Sequence, residues 1–167
     1  MFELRTERLR LRPIKNSDVP NLMKIFSDPI AMEHYPSTKT EQQAEEWIEW
    51  THNNYNAYNV GLWAVESLET GEFIGQCGIA PQKINGEVLM EIGYLFVREH
   101  WRKGYATEAA QACLNYGFEK CKYPKLISLI APENRPSATV AKRIGMRKET
   151  QIHKWDRSID VYAINSD

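Results

Sequence analysis

The chemistry-bearing stretch of this chain runs from Glu91 to Ala110. It passes from a strand-like run ending at Phe96 and Val97, through the basic turn Arg98–Gly104, into the opening of a helix at Tyr105, Ala106 and Thr107. A helix start carries unpaired backbone N–H groups and the positive end of the helix dipole, which together make an anion site suited to a pyrophosphate. Gly104 lets the backbone approach such a group closely, and Arg102 and Lys103 add positive charge. The spacing therefore reads as a turn built to hold a phosphorylated ligand. The turn lacks the three-glycine spacing of a dinucleotide fold, and no Gly-x-x-x-x-Gly-Lys-Ser/Thr loop is present, so a nucleotide-phosphate enzyme is disfavoured.

The elements that must position this turn can be read from periodicity. Leu4 to Ile14 alternates, with Leu9 and Leu11 set against Arg8, Arg10 and Arg12, as a strand with one wet face does. Val19, Leu22, Met23 and Phe26 form a helical stripe that Asp28-Pro29 ends. Thr40 with Gln43 fits a capping box, followed on one face by Ala44, Trp47, Ile48 and Thr51. Gly61 to Glu66 and Glu72 to Ile84 read as a strand pair, and Asn85-Gly86 as a hairpin turn into a strand over Glu87–Val97. The helix from Gly104 buries Ala106, Ala109, Ala110, Cys113, Leu114 and Phe118 and stops before Pro124. A short apolar strand follows over Lys125–Ala131. A helix over Asn134–Ile144 has Pro136 in its first turn and Gly145 as its stop, and two strands close the chain around Arg147–Ile152 and Ile159–Ile164.

With 167 residues, 43% hydrophobic and 26% charged, the chain reads as one ordinary globular domain over 1–167. Its net charge of −1 argues against non-specific nucleic-acid binding, so any basic site is local. No apolar run is long enough for a membrane span, and Met1 to Arg5 lacks the apolar core of a signal peptide, so the cytoplasm is expected. Cys77, Cys113 and Cys121 lack CxxC spacing, and His34, His52, His100 and His153 form no ligand pattern, so no metal is expected. His100 lies in the basic turn and reads as an ordinary turn residue before it reads as a phosphate contact.

Two segments, Glu91–Ala110 and Asn134-Arg135-Pro136-Ser137 through Arg143-Ile144-Gly145-Met146, resemble the two main motifs of the GNAT N-acetyltransferase superfamily. The wording of Trp101–Ala109 and of Thr6–Arg12 is most similar to its ribosomal-protein N-acetyltransferase (RimJ/RimL) branch. The resemblance implies an α/β fold with a strongly twisted, mostly antiparallel sheet of six to seven strands, splayed after the fourth and flanked by about four helices. It implies acetyl-CoA as co-substrate and transfer of its acetyl group to a primary amine, a peptide N-terminus or a small molecule, by direct attack in a ternary complex. Neither a nucleic-acid nor a membrane partner is implied, and a homodimer is compatible with it.

Coenzyme A carries a pyrophosphate for the backbone of Arg102, Lys103, Gly104, Tyr105, Ala106 and Thr107, and a strand-like pantetheine arm for backbone groups of Phe96 and Val97. Amine acetylation needs a proton acceptor, and family members that use one place a glutamate near Glu91, which shares a strand face with Gly93 and Leu95. Glu87 and Glu108 are rivals, Glu108 reading better as a first-turn helix acid. Many members protonate the departing thiolate with a tyrosine four residues before the second motif's glycine. Ala141 stands there in this chain. Ser137 is the substitute, set against a helix-capping role, and Asn134 either caps that helix or donates to the pantetheine arm. The missing tyrosine keeps a catalytically silent CoA-binding sensor or interaction module as the alternative.

On the acceptor side, Tyr35, Trp47, Trp50, Tyr55 and Trp63 supply aromatic surface for core or pocket. Glu41, Glu45, Glu46 and Glu49 give the second helix an acidic face, either merely solvated or attractive to a cationic amine.

Overall fold

An eight-stranded sheet in the order β1-β2-β3-β4-β5-β6-β8-β7 organises the computed structural model, which describes residues 3–167. Met1 and Phe2, the start of the stretch read for a signal peptide, lie outside the described residues. The strands are β1 (Leu4–Arg5), β2 (Leu9–Pro13), β3 (Leu62–Ser67), β4 (Phe73–Ile84), β5 (Glu87–Phe96), β6 (Lys125–Ile130), β7 (Arg147–Lys154) and β8 (Arg157–Asn165). Four helices cover them: α1 (Val19–Phe26), α2 (Glu41–Tyr58), α3 (Tyr105–Glu119) and α4 (Arg135–Arg143). Only β5 and β6 run parallel; every other neighbouring pair is antiparallel.

The alternating N-terminal run forms two strands, because a tight turn interrupts it. The Thr6 N–H donates to the Leu9 carbonyl at 2.9 Å, while the Thr6 hydroxyl and the Arg8 N–H are both drawn to the Glu108 carboxylate on α3. With that run split, the sheet gains its eighth strand and the splay falls between β5 and β6.

Strand alternation divides the core between the two faces of the sheet. Trp63, Val65, Ile79 and Ile92 face α3 and α4, whereas Leu62, Ala64 and Leu95 face α1 and α2. Local signals set the helix ends. The Gln43 N–H donates to the Thr40 hydroxyl at 3.1 Å, and the Gln43 side-chain oxygen accepts from the Thr40 N–H at 2.8 Å, closing the capping box of α2. Asn85 and Gly86 take φ of 49° and 82°, the left-handed pair that a two-residue hairpin needs. Cys77 on β4 and Cys113 on α3 are free thiols buried in the core, their sulfurs 3.6 Å apart. Among the described residues no helix is long and apolar enough to cross a membrane.

Candidate active site

The site grows out of a failure of the ladder. β5 and β6 pair at Glu91 and Ile127 and then part, while β5 stays on β4 as far as Phe96 and β6 stays on β8. Backbone groups on the two parting edges lose their strand partners, and side chains take them over. The Leu129 N–H donates to Glu91 Oε2 at 2.7 Å, and the Ser128 hydroxyl donates to the Ile92 carbonyl at 2.8 Å. Farther along, the Tyr94 hydroxyl bridges the gap to the Ser137 carbonyl at 2.8 Å.

Glu91 therefore sits where the strands diverge. Its Oε1 accepts from Gln82 Nε2 at 3.0 Å. Burial pushes its carboxyl up to about 7, even though the Leu129 and Gln82 donors pull the other way. It opens on a cavity of about 540 Å³, lined by Gly93 and Leu95 on the same strand face, by Gln76 and Gln82 of β4, and by Asn134 and Ser137 at the head of α4. A Cβ at Gly93 would meet only the Leu62 side chain, at 3.8 Å, so this glycine leaves the floor of the cavity open.

At the head of α4 the cap is Asn134, whose side-chain oxygen accepts from the Ser137 N–H at 3.3 Å. The Ser137 hydroxyl is thus not the capping group. Ala141, at the position where many family members carry tyrosine, is fully buried in the core.

The basic turn lies beyond the end of β5. Gly104 is the N-cap of α3 at φ +80°, in the left-handed region that favours glycine, and no side chain caps this helix. Arg102 also has positive φ, 64°, and with Lys103 it is exposed. Arg8 braces the turn from the N-terminal segment: its guanidinium donates to the Lys103 carbonyl at 2.9 Å, pairs with Glu108 at 2.7 Å and lies 4.5 Å from the centre of the Tyr105 ring. Burial raises the Glu108 carboxyl, but hydrogen bonds from Thr6 and Arg8 outweigh it and hold the group below its ordinary value. Tyr105, Ala106 and Thr107 form the first turn of α3 and are half-buried. Phe96 and Val97 are buried, and their backbones are engaged: the Phe96 carbonyl accepts from the Trp101 indole at 2.8 Å, and the Val97 N–H donates to the Ile74 carbonyl at 3.0 Å.

Glu91, Asn134 and Ser137 share the cavity, whereas residues 102–107 are not among its lining. The aromatic set divides. Tyr35, Trp47 and Trp50 line the cavity, Trp63 is buried in the core, and the Tyr55 hydroxyl donates to the Leu62 carbonyl. Glu46 reaches the cavity from the acidic face of α2. Gln82, Tyr94 and Ser128 are site residues that the sequence did not single out; each is recognisable only once β5 and β6 are known to part. His100 pairs with Glu72 at 3.3 Å, and together with Glu99 these offer ligand atoms within 4.8 Å of one another, the grouping among the described residues that comes nearest to a metal site.

Comparison with known proteins gives a consistent picture. A family model described as an acetyltransferase (GNAT) domain matches residues 8–147. The Bacillus subtilis protein YkkB is 46% identical over 165 residues, covering 98% of this chain and 96% of that protein. An acetyltransferase structure from Agrobacterium tumefaciens superposes with a TM-score of 0.88 at 32% identity, covering 99% of this chain and 95% of the other. A Salmonella typhimurium enzyme that modifies the N-terminal serine of ribosomal protein L7/L12 shares the fold, with a TM-score of 0.80 at 17% identity over 97% of both chains.

Proposed function

The chain belongs to the GNAT acetyltransferase family, and from that premise we propose that it is a single-domain cytoplasmic enzyme moving acetyl from acetyl-CoA to a primary amine by direct attack. The observation that carries this reading is Glu91, a carboxylate raised to about 7 at the point where the sheet opens. An α-amino group is about a tenth neutral at pH 7, so a base of matched pKa is what the step requires. The amine nitrogen attacks the thioester carbonyl, Glu91 accepts the amine proton, the C–S bond breaks, and the Ser137 hydroxyl relays a proton from solvent to the leaving thiolate while Glu91 releases its own to solvent. Availability of that hydroxyl is supported by Asn134 doing the capping.

The coenzyme's pyrophosphate would rest on the uncapped N–H groups at the head of α3, with Arg102, Lys103 and Gly104 around it. Its pantetheine arm would lie along the open edge of β5 toward Asn134; the Phe96 carbonyl and the Val97 N–H already have partners within the chain, so neither of those groups would hold it. The acceptor is a peptide N-terminus or a small-molecule amine, and the likeness in wording to the RimJ/RimL branch supports the former. Mass spectrometry after incubation with acetyl-CoA and a panel of peptides and small amines tests the reading. Acetylated amine is the expected product. CoA binding without any acetylated product would establish a silent CoA-binding module instead.

A further inference from the structure

One buried polar group in the cavity wall has half of its hydrogen-bonding capacity unused. Gln76 of β4 is only 2% exposed and lines the cavity. Its side-chain oxygen accepts from the Trp47 indole N–H at 3.1 Å. An indole can only donate, so this bond fixes which way round the amide lies and turns its NH2 group away from Trp47. No group among the described residues accepts from that NH2, and it is not one of the polar atoms sealed without a partner in the core. The amide is thus a preoriented donor at the cavity surface, available to an oxygen of a bound molecule.

The strand register gives its distance from Glu91. Gln76 pairs with Leu95 and Ala80 pairs with Glu91, so four residues of strand separate the two polar groups, about 13 Å at roughly 3.3 Å per residue. Gln76, Gly78 and Ala80 share a sheet face with Leu95, Gly93 and Glu91, and the paired Gly78 and Gly93 put no side chain between the two ends. A single amino acid or a small amine reaches one end only. A polyamine spans the distance but offers the Gln76 NH2 no oxygen. An extended peptide does both. Each of its residues advances about 3.3 Å and carries a carbonyl, so with the terminal amine at Glu91 its third or fourth carbonyl arrives at Gln76.

We propose that Gln76 is a specificity-determining residue that takes the third or fourth main-chain carbonyl of an extended peptide acceptor, with Trp47 orienting its amide. This rests on the acetyltransferase reading above.

Thiol release from acetyl-CoA tests this with peptide amides of one, two, four and six residues that share a first residue, and with phenethylamine and spermidine. The value of kcat/KM should rise about three- to tenfold between two and four residues, the scale of one hydrogen bond, and level off by six. Gln76→Leu should flatten the rise, and Trp47→Phe, which keeps a ring and loses the indole donor, should reduce it. A hexapeptide with trans-alkene isosteres in place of its third and fourth peptide bonds should fall back toward the dipeptide with the parent enzyme, a result that requires no variant to fold. A flat length series, a rise that survives either substitution, or an isostere peptide as good as the hexapeptide would overturn the inference while leaving the enzyme reading intact. So would any small amine outrunning every peptide. Acetylation of none of these, nor of any amine in the broader panel, would overturn both.

Discussion

The turn at the head of α3 is contiguous in the chain, whereas the cavity under Glu91 is assembled from β4, β5, β6, α2, α4 and the connection that carries Tyr35 and Lys39. The turn needs backbone N–H groups and a residue able to adopt φ +80°, properties that a few adjacent residues supply. The cavity needs a strand pair that stops pairing at a defined place, with side chains that take over the orphaned groups. On the proposed function, binding an anion would be a local property of this chain, and managing the acceptor's proton a property of its tertiary structure.

That contrast breaks most sharply at Gly104. Gly104→Glu places a side chain at a φ that costs an ordinary residue roughly 1–2 kcal/mol, with a Cβ 3.4 Å from the Arg8 guanidinium. It also sets a tethered negative charge at the anion site. Calorimetry should show CoA binding lost, and binding like that of the parent would disprove the turn's role.

Glu91→Gln should lower kcat roughly 10²–10⁴-fold with little change in the KM for acetyl-CoA. The shape is kept, and Gln82 can rotate its amide to present oxygen to the new donor. Turnover by the parent should rise with pH through about 7, as Glu91 becomes able to accept a proton, and the variant should lose that limb. Stability carries the opposite sign. A carboxyl raised from 4.5 to about 7 favours the native state when protonated, so this contribution is present in acid and is lost as pH rises through about 7. Melting of parent and variant between about pH 5 and pH 8 should show the parent losing ground to the variant.

The legible parts of this molecule are those specified by neighbours in sequence. The Thr40–Gln43 box, the Asn85-Gly86 turn, Pro136 in the first turn of α4 and Gly145 after it each act within a few residues, and each forms as expected. The break between β1 and β2 was not legible, because it depends on Glu108 a hundred residues away. Nor were Ser128 and Tyr94, which read as ordinary strand residues until the splay gives them a carbonyl to reach. Glu91 is marked by the family resemblance alone. Its raised pKa and its bond to the Leu129 N–H needed the packed structure.

The smallest effects separate catalysis from capping at the head of α4. Ser137→Ala should lower kcat about tenfold, less than a general acid can contribute, because a thiolate is a tolerable leaving group near neutral pH. Its melting temperature should hold, since the Ser137 N–H, not its hydroxyl, takes part in the cap. Asn134→Ala removes the side-chain oxygen that accepts that N–H, and it should cost about 1 kcal/mol of stability, or roughly 2–4 °C for a chain of this size. If Ser137→Ala melts early and keeps its rate, the hydroxyl is structural and the thiolate leaves without help from it. If Asn134→Ala weakens CoA binding beyond its loss of stability, Asn134 touches the pantetheine arm as well as capping α4. The two variants, read together by initial rates, calorimetry and thermal melting, divide the head of this helix into its chemical and its structural halves.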